Sequence, residues 1–145
     1  MQTNALFRLL LVFTLFTLCA CRSSKEASTN RKQYKEIYLS QFKLTYFKKL
    51  LSQSYNHSDN IKTLIKGDSS GFTEPILSEK EYKLIDSLVK VDNNYLVADS
   101  AASIGRVAEG GEGKHVLGFI MYKIRSKWLD SLALDSYKRS DIKSF

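Results

Sequence analysis

The sequence predicts an all-α fold, a compact bundle of about five helices. Apolar residues recur at spacings of three and four over most of the chain, and no alternating strand pattern of any length appears. One proline, Pro75, interrupts 145 residues. Glycine and clusters of Asn, Asp and Ser fall between the periodic stretches, where short connections belong.

Within the expected domain, Gln33 to Tyr55 reads as the first helix. Tyr34, Ile37, Tyr38, Phe42, Tyr46, Leu50 and Leu51 form its apolar face, widened by Leu39, Leu44 and Phe47. Lys35, Lys43, Lys48 and Lys49 supply the wet side. The run Asn56-His57-Ser58-Asp59-Asn60 stops it. Ser58 or Asp59 then caps a short helix holding Ile61, Leu64 and Ile65, ended by Gly67. Residues 68–77 are irregular, and Phe72, Ile76 and Leu77 are expected to plug back into the core. Asp68, Ser69 and Ser70 lack the alternating acidic ligands and closing Glu of a calcium loop.

The stretch from Ser78 to His115 organises the expected domain. Ser78 and Glu81 have the spacing of a capping box. Leu84, Leu88, Val91, Tyr95, Ala98 and Ala102 follow as one apolar stripe, leaving Lys83, Lys90, Asp92 and Asn93 to face water. The stripe fades at Gly105, and the loop Glu109-Gly110-Gly111-Glu112-Gly113-Lys114-His115 begins, where three glycines cannot continue a helix cheaply. Val116, Leu117, Ile120, Met121 and Ile124 make the next helix, apolar nearly all round and so expected at the centre of the bundle. Ser126 caps a last helix carrying Trp128, Leu129, Leu132, Ala133 and Tyr137. Asp130 in its first turn and Lys138 and Arg139 in its last suit the helix dipole.

The N-terminus has a different character. Arg8 gives a short positive region, and Leu9 to Leu18 is an apolar run of secretory-signal length, too short to span a bilayer. Leu18-Cys19-Ala20-Cys21 follows and resembles the lipobox of bacterial lipoproteins. The resemblance implies a signal peptide over residues 1–20, cleavage after Ala20 and lipidation of Cys21, and hence a lipid anchor in the bacterial cell envelope. Residues 21–32 have no large apolar side chain and read as a flexible lipidated tether. The helical domain is expected over 33–139 and a frayed tail over 140–145. With Cys19 removed and Cys21 acylated, no thiol remains for a disulfide, so about 115 residues must cohere through their core. The net charge of +7 favours anionic headgroups or an acidic protein as surroundings. Lysines spread along the helices, in an exported chain, do not read as nucleic-acid binding.

Candidate chemistry is sparse. His57 and His115 lie in different loops without further ligands at metal spacing, so neither metal nor cofactor is expected. No serine-nucleophile elbow occurs, and the glycine run fits neither a phosphate loop nor a dinucleotide fingerprint. Glu109 and Glu112 share the loop, but an envelope hydrolase needs two carboxylates held across a cleft, and a glycine loop does not hold them. The chain is read as a non-enzyme. The same loop suits insertion into a concave site on another protein.

Four segments carry a family likeness. They are Ile85-Asp86-Ser87-Leu88, Asp99 to Gly105, Ala108-Glu109-Gly110-Gly111-Glu112-Gly113-Lys114, and Tyr122-Lys123-Ile124-Arg125-Ser126-Lys127-Trp128-Leu129-Asp130-Ser131-Leu132. Together they resemble the immunity proteins that neutralise peptidoglycan amidase effectors of type VI secretion systems. The resemblance implies a small, exported, all-helical inhibitor that occludes the amidase cleft in part with a protruding loop, here Glu109 to His115. It also implies a possible homodimer. The alternative is a lipid-anchored envelope binding or scaffolding module without catalytic activity.

Overall fold

Tyr38, Phe42, Tyr46 and Leu50 step by four along one helix, and each is fully buried. The core is therefore laid down along a single line. In the computed structural model this line belongs to α1 (Thr3–Ser54), followed by α2 (Asp59–Gly67), α3 (Glu79–Ser103), α4 (Val116–Arg125) and α5 (Lys127–Arg139). The structure describes residues 3–71, 76–103 and 113–140, with side chains from Thr29 on, and no strand occurs among them. Met1–Glu36 and Ile37–Ser144 form separate compact units. The second unit is a helical bundle. Among the described residues no helix is long and apolar enough to cross a membrane.

The first unit holds the N-terminal part of α1. Its backbone is helical through residues 21–32, where a flexible tether was the expectation. Neither glycine nor proline occurs between Thr3 and Ser54, and Lys, Glu, Ala and Arg in this segment are good helix formers.

In the bundle, α1 is the central element. Tyr38 donates to Ser136 Oγ on α5 (3.1 Å) and meets the Tyr137 ring edge-on at 5.2 Å. Tyr46 reaches α3, where its hydroxyl donates to Asp92 Oδ2 at 2.6 Å. Lys43 pairs with Asp130 on α5 and Lys49 with Asp86 on α3 (2.5 Å). Burying each large side chain of the ladder contributes roughly 1.5–3 kcal/mol. The helix ends where Asn56 and His57 both take φ of 53°, a left-handed turn that these two residue types tolerate better than most.

The short α2 has no fully buried residue, and only Ile61 of its apolar side chains packs against the core. Gly71 has φ +116°, and a Cβ there would sit 3.2 Å from Leu44 Cδ2, so the chain crosses α1 where only glycine fits. Asp68 orders its own turn. It accepts from both the hydroxyl and the backbone N–H of Ser70 and pairs with Lys48 at 2.9 Å. The Ser70 hydroxyl first, with Lys48 beside it, holds the Asp68 carboxyl down to about 2. Leu77 is buried and Ile76 partly so; Phe72 lies outside the described residues.

The capping box at Ser78 forms. Glu81 accepts from the Ser78 N–H at 2.7 Å and from its hydroxyl, while Ser78 Oγ accepts from the Lys80 N–H at 3.3 Å. The stripe expected on α3 is displaced by about one residue. The buried face carries Ile85, Val89, Asp92 and Leu96, with Glu81 at its start. Val91 is 67 % exposed, Tyr95 is also exposed, and Leu84 and Leu88 lie only at the edge of the core. Two acidic residues on the inner face make it the less hydrophobic of two adjacent stripes. Specific partners for those acids decide the register.

Nor is α4 central. It has ten residues, of which Val116 and Ile120 are buried. One face of so short a helix reaches the core. Ser126 caps α5 as expected, accepting from the Leu129 N–H at 3.3 Å, and Leu129, Ala133 and Ser136 turn inward while Trp128 stays half exposed.

Burial works against the charge on Glu81, but the hydrogen bonds from Ser78, with a contribution from Tyr38, outweigh it and hold the carboxyl below the ordinary range. The folded group therefore binds a proton less readily than the unfolded one. Its stabilising contribution is complete at neutral pH and is lost as pH falls below about 4.3 and through the lower folded value. Glu81→Gln should flatten this acid limb in urea unfolding measured across pH 7 to 3. Ser78→Ala should cost about 1 kcal/mol at neutral pH.

Candidate functional site

Of the loop expected to meet a partner, Glu109, Gly110, Gly111 and Glu112 lie outside the described residues. Gly113, Lys114 and His115 form its return to the bundle. Gly113 has φ +106° with open space around it, a conformation L-residues rarely adopt. Lys114 Nζ donates to the Ser54 carbonyl at 3.1 Å, at the end of α1. That contact satisfies one of the orphan carbonyls of a helix terminus with a cation, the favourable sign there. His115 stands exposed at the N-cap of α4 without a side-chain cap bond, and Val116 immediately after it is buried. The return strut is thus fixed at two successive points. Cys21, the expected lipidation site, lies in the helical backbone of α1.

A second surface was not expected. Leu117, Met121, Tyr122 and Trp128 are between 49 % and 70 % exposed. Gly118, Met121, Tyr122 and Arg125 follow one another at helical spacings of three, one and three on α4. With Lys127 and Trp128 at the start of α5 they line an open groove of about 590 Å³. Gly118 faces open space there, and a Cβ would meet nothing within 4 Å. The signal for this face was present in the sequence. The helix is apolar nearly all round, and with Val116 and Ile120 taken into the core, Leu117, Met121 and Tyr122 are left exposed.

The face is coupled to the core through Lys123. Its ammonium sits 2.8 Å from Asp92 Oδ1, 5.2 Å from the Phe119 ring centroid and 4.6 Å from that of Trp128. Phe119 in turn stacks on Tyr95 at 5.4 Å. Asp92 is buried and also accepts from Tyr46. Burial first, then this hydrogen bond and the carboxylate charge, push the Tyr46 hydroxyl far above the ordinary tyrosine range, so it stays a donor. The chain of contacts runs from the middle of α1 through α3 to the surface at Trp128.

His57 bonds Ser52 at 2.9 Å within its own turn, away from His115 in the sequence. Among the described residues no group of three His, Cys, Asp or Glu side chains is placed to hold a metal ion. Comparison with known proteins finds no matching family model, no matching curated protein and no matching solved structure.

Asp92→Ala leaves Lys123 and Tyr46 without their shared acceptor and should cost about 3 kcal/mol in urea unfolding. Tyr46→Phe should cost about 2 kcal/mol. The double variant should lose less than the sum of the two. Strict additivity would mean that the three groups do not act as a unit.

Proposed function

We propose that the chain is an exported, lipid-anchored immunity protein that binds a secreted peptidoglycan amidase and inhibits it by occluding the active cleft. The observation that carries this reading is the fixed return of the glycine loop. Lys114 is tied to the end of α1 and Val116 is anchored in the core. A loop offered from a rigid support loses less conformational freedom when it enters a partner's cleft, and that saving appears as affinity. Glu109, Glu112, Lys114 and His115 give the loop hydrogen-bonding groups of both signs, and its glycines permit close backbone approach. The likeness of the segments around it to the amidase immunity family supports the same reading. Acylation of Cys21 keeps the inhibitor in the envelope, where an incoming amidase acts.

The reading is tested by co-expressing the chain with amidase effectors from the same genome, each directed to the periplasm. One pairing should be rescued from lysis and give a stable complex on size exclusion. Deleting residues 110–113 should abolish the rescue while leaving the thermal unfolding transition in place. Full protection by the deletion variant would remove the loop from the mechanism. Lys114→Ala should weaken the complex on the order of ten-fold, because the strut loses its charged hydrogen bond.

The exposed aromatic face on α4 and α5 favours a second reading, an envelope binding or scaffolding module without catalytic activity. Retention of the chain by isolated cell wall, with no amidase rescued, would establish that reading instead.

A further inference from the structure

We propose that the face formed by α4 and the start of α5 docks onto the surface of an anionic bilayer. Its apolar part is Met121, Tyr122, Trp128 and the flanking Leu117, all exposed. Trp and Tyr are the side chains that settle at the depth of lipid headgroups, with an apolar body and a polar edge. Its rim is cationic. Arg125 and Lys127 line the groove, no carboxylate does, and neither cation has an ion-pair partner among the described residues. The neighbouring acids are engaged elsewhere, Asp92 with Lys123 and Asp130 with Lys43.

Charge and shape select this occupant. A second copy meeting the face across a two-fold axis would bring two cationic rims together. Hot-spot side chains of a protein partner seat in enclosed pockets, and this groove is open to solvent. A bilayer needs neither depth nor a matching side chain, only anionic headgroups around an apolar contact. The N-terminal segment points the same way. Between Cys21 and Glu36 five residues are basic and two acidic, so the end of the chain that leads to the anchor is itself cationic. A modest patch becomes effective when the chain is already held at the bilayer, because the second contact is then intramolecular. The proposal requires only that the N-terminal segment holds the chain there, and no particular effector.

Trp128 is the only tryptophan, so its emission reports this face alone. The full chain is reconstituted with vesicles of phosphatidylglycerol and phosphatidylethanolamine, and separately with phosphatidylcholine vesicles, each with and without brominated acyl chains. Flotation reads the anchor, and emission with quenching reads the face. On the anionic vesicles Trp128 should shift to the blue and be quenched by the brominated lipid. On phosphatidylcholine it should remain accessible to aqueous iodide. The double variant Arg125→Gln, Lys127→Gln should lower the ratio of docked to undocked protein roughly thirty-fold at low salt. Gly118→Leu places an apolar side chain in the open space of the groove and should leave docking intact or strengthen it. A chain that floats while Trp128 stays in water overturns the docking and leaves the anchor standing. A chain that floats with neither vesicle overturns both. Equal immersion on both vesicle types removes the role of the cations. Trp128 buried only when a co-purified amidase is added, and blocked by Gly118→Leu, would assign the face to a protein partner.

Discussion

Asp92 is a carboxylate placed where an unpaired charge would not survive. It is buried on the inner face of α3, and it is stable there because two partners reach it from two other helices, Tyr46 from α1 and Lys123 from α4. Each partner satisfies a different oxygen. Losing either would expose the cost of taking the charge out of water, several kcal/mol in a protein interior. The three helices must therefore keep the mutual register that brings these groups together. Apolar contacts alone tolerate slippage, because one methyl group substitutes for another; a charge with two geometric partners does not.

The ladder on α1 works alongside this constraint. Tyr38 and Tyr46 bury their rings in the core and send their hydroxyls outward along two directions, one to Ser136 on α5 and one to Asp92 on α3. Phe42 lies between them with no polar group to place. The helix thus supplies hydrophobic burial along its length and directional contacts at separate heights. Most of the remaining ion pairs, such as Lys83 with Glu79 and Lys138 with Asp135, lie on the surface and add little.

Features that depend on a few neighbouring residues were legible in the sequence. The caps at Ser78 and Ser126, the face of α1 and the stop at Gly67 all rest on local spacing. The stripe on α3 was misread because hydrophobicity ranks Leu84, Leu88 and Val91 above a face containing Glu81 and Asp92. Only the partners on α1 and α4 make that face the inner one, and a single helix's sequence does not contain them. The place of α4 was misread for a related reason. Its apolar character favours burial, whereas Leu117, Met121 and Tyr122 of its ten residues stay exposed. Of the loop, the sequence located the glycines, and the structure adds the anchorage of Lys114 on Ser54.

The division of α4 along its length has a consequence for how this chain can change over generations. Val116 and Ile120 are held by the core, and Lys123 is held by Asp92. Leu117, Met121 and Tyr122 project into solvent, and substitutions at such positions usually alter stability by no more than about 0.5 kcal/mol. The two sets interleave within ten residues. Mutation can therefore change the chemistry of the outer side while selection on folding acts on the residues between, and the scaffold can reach a new surface without passing through an unfolded intermediate.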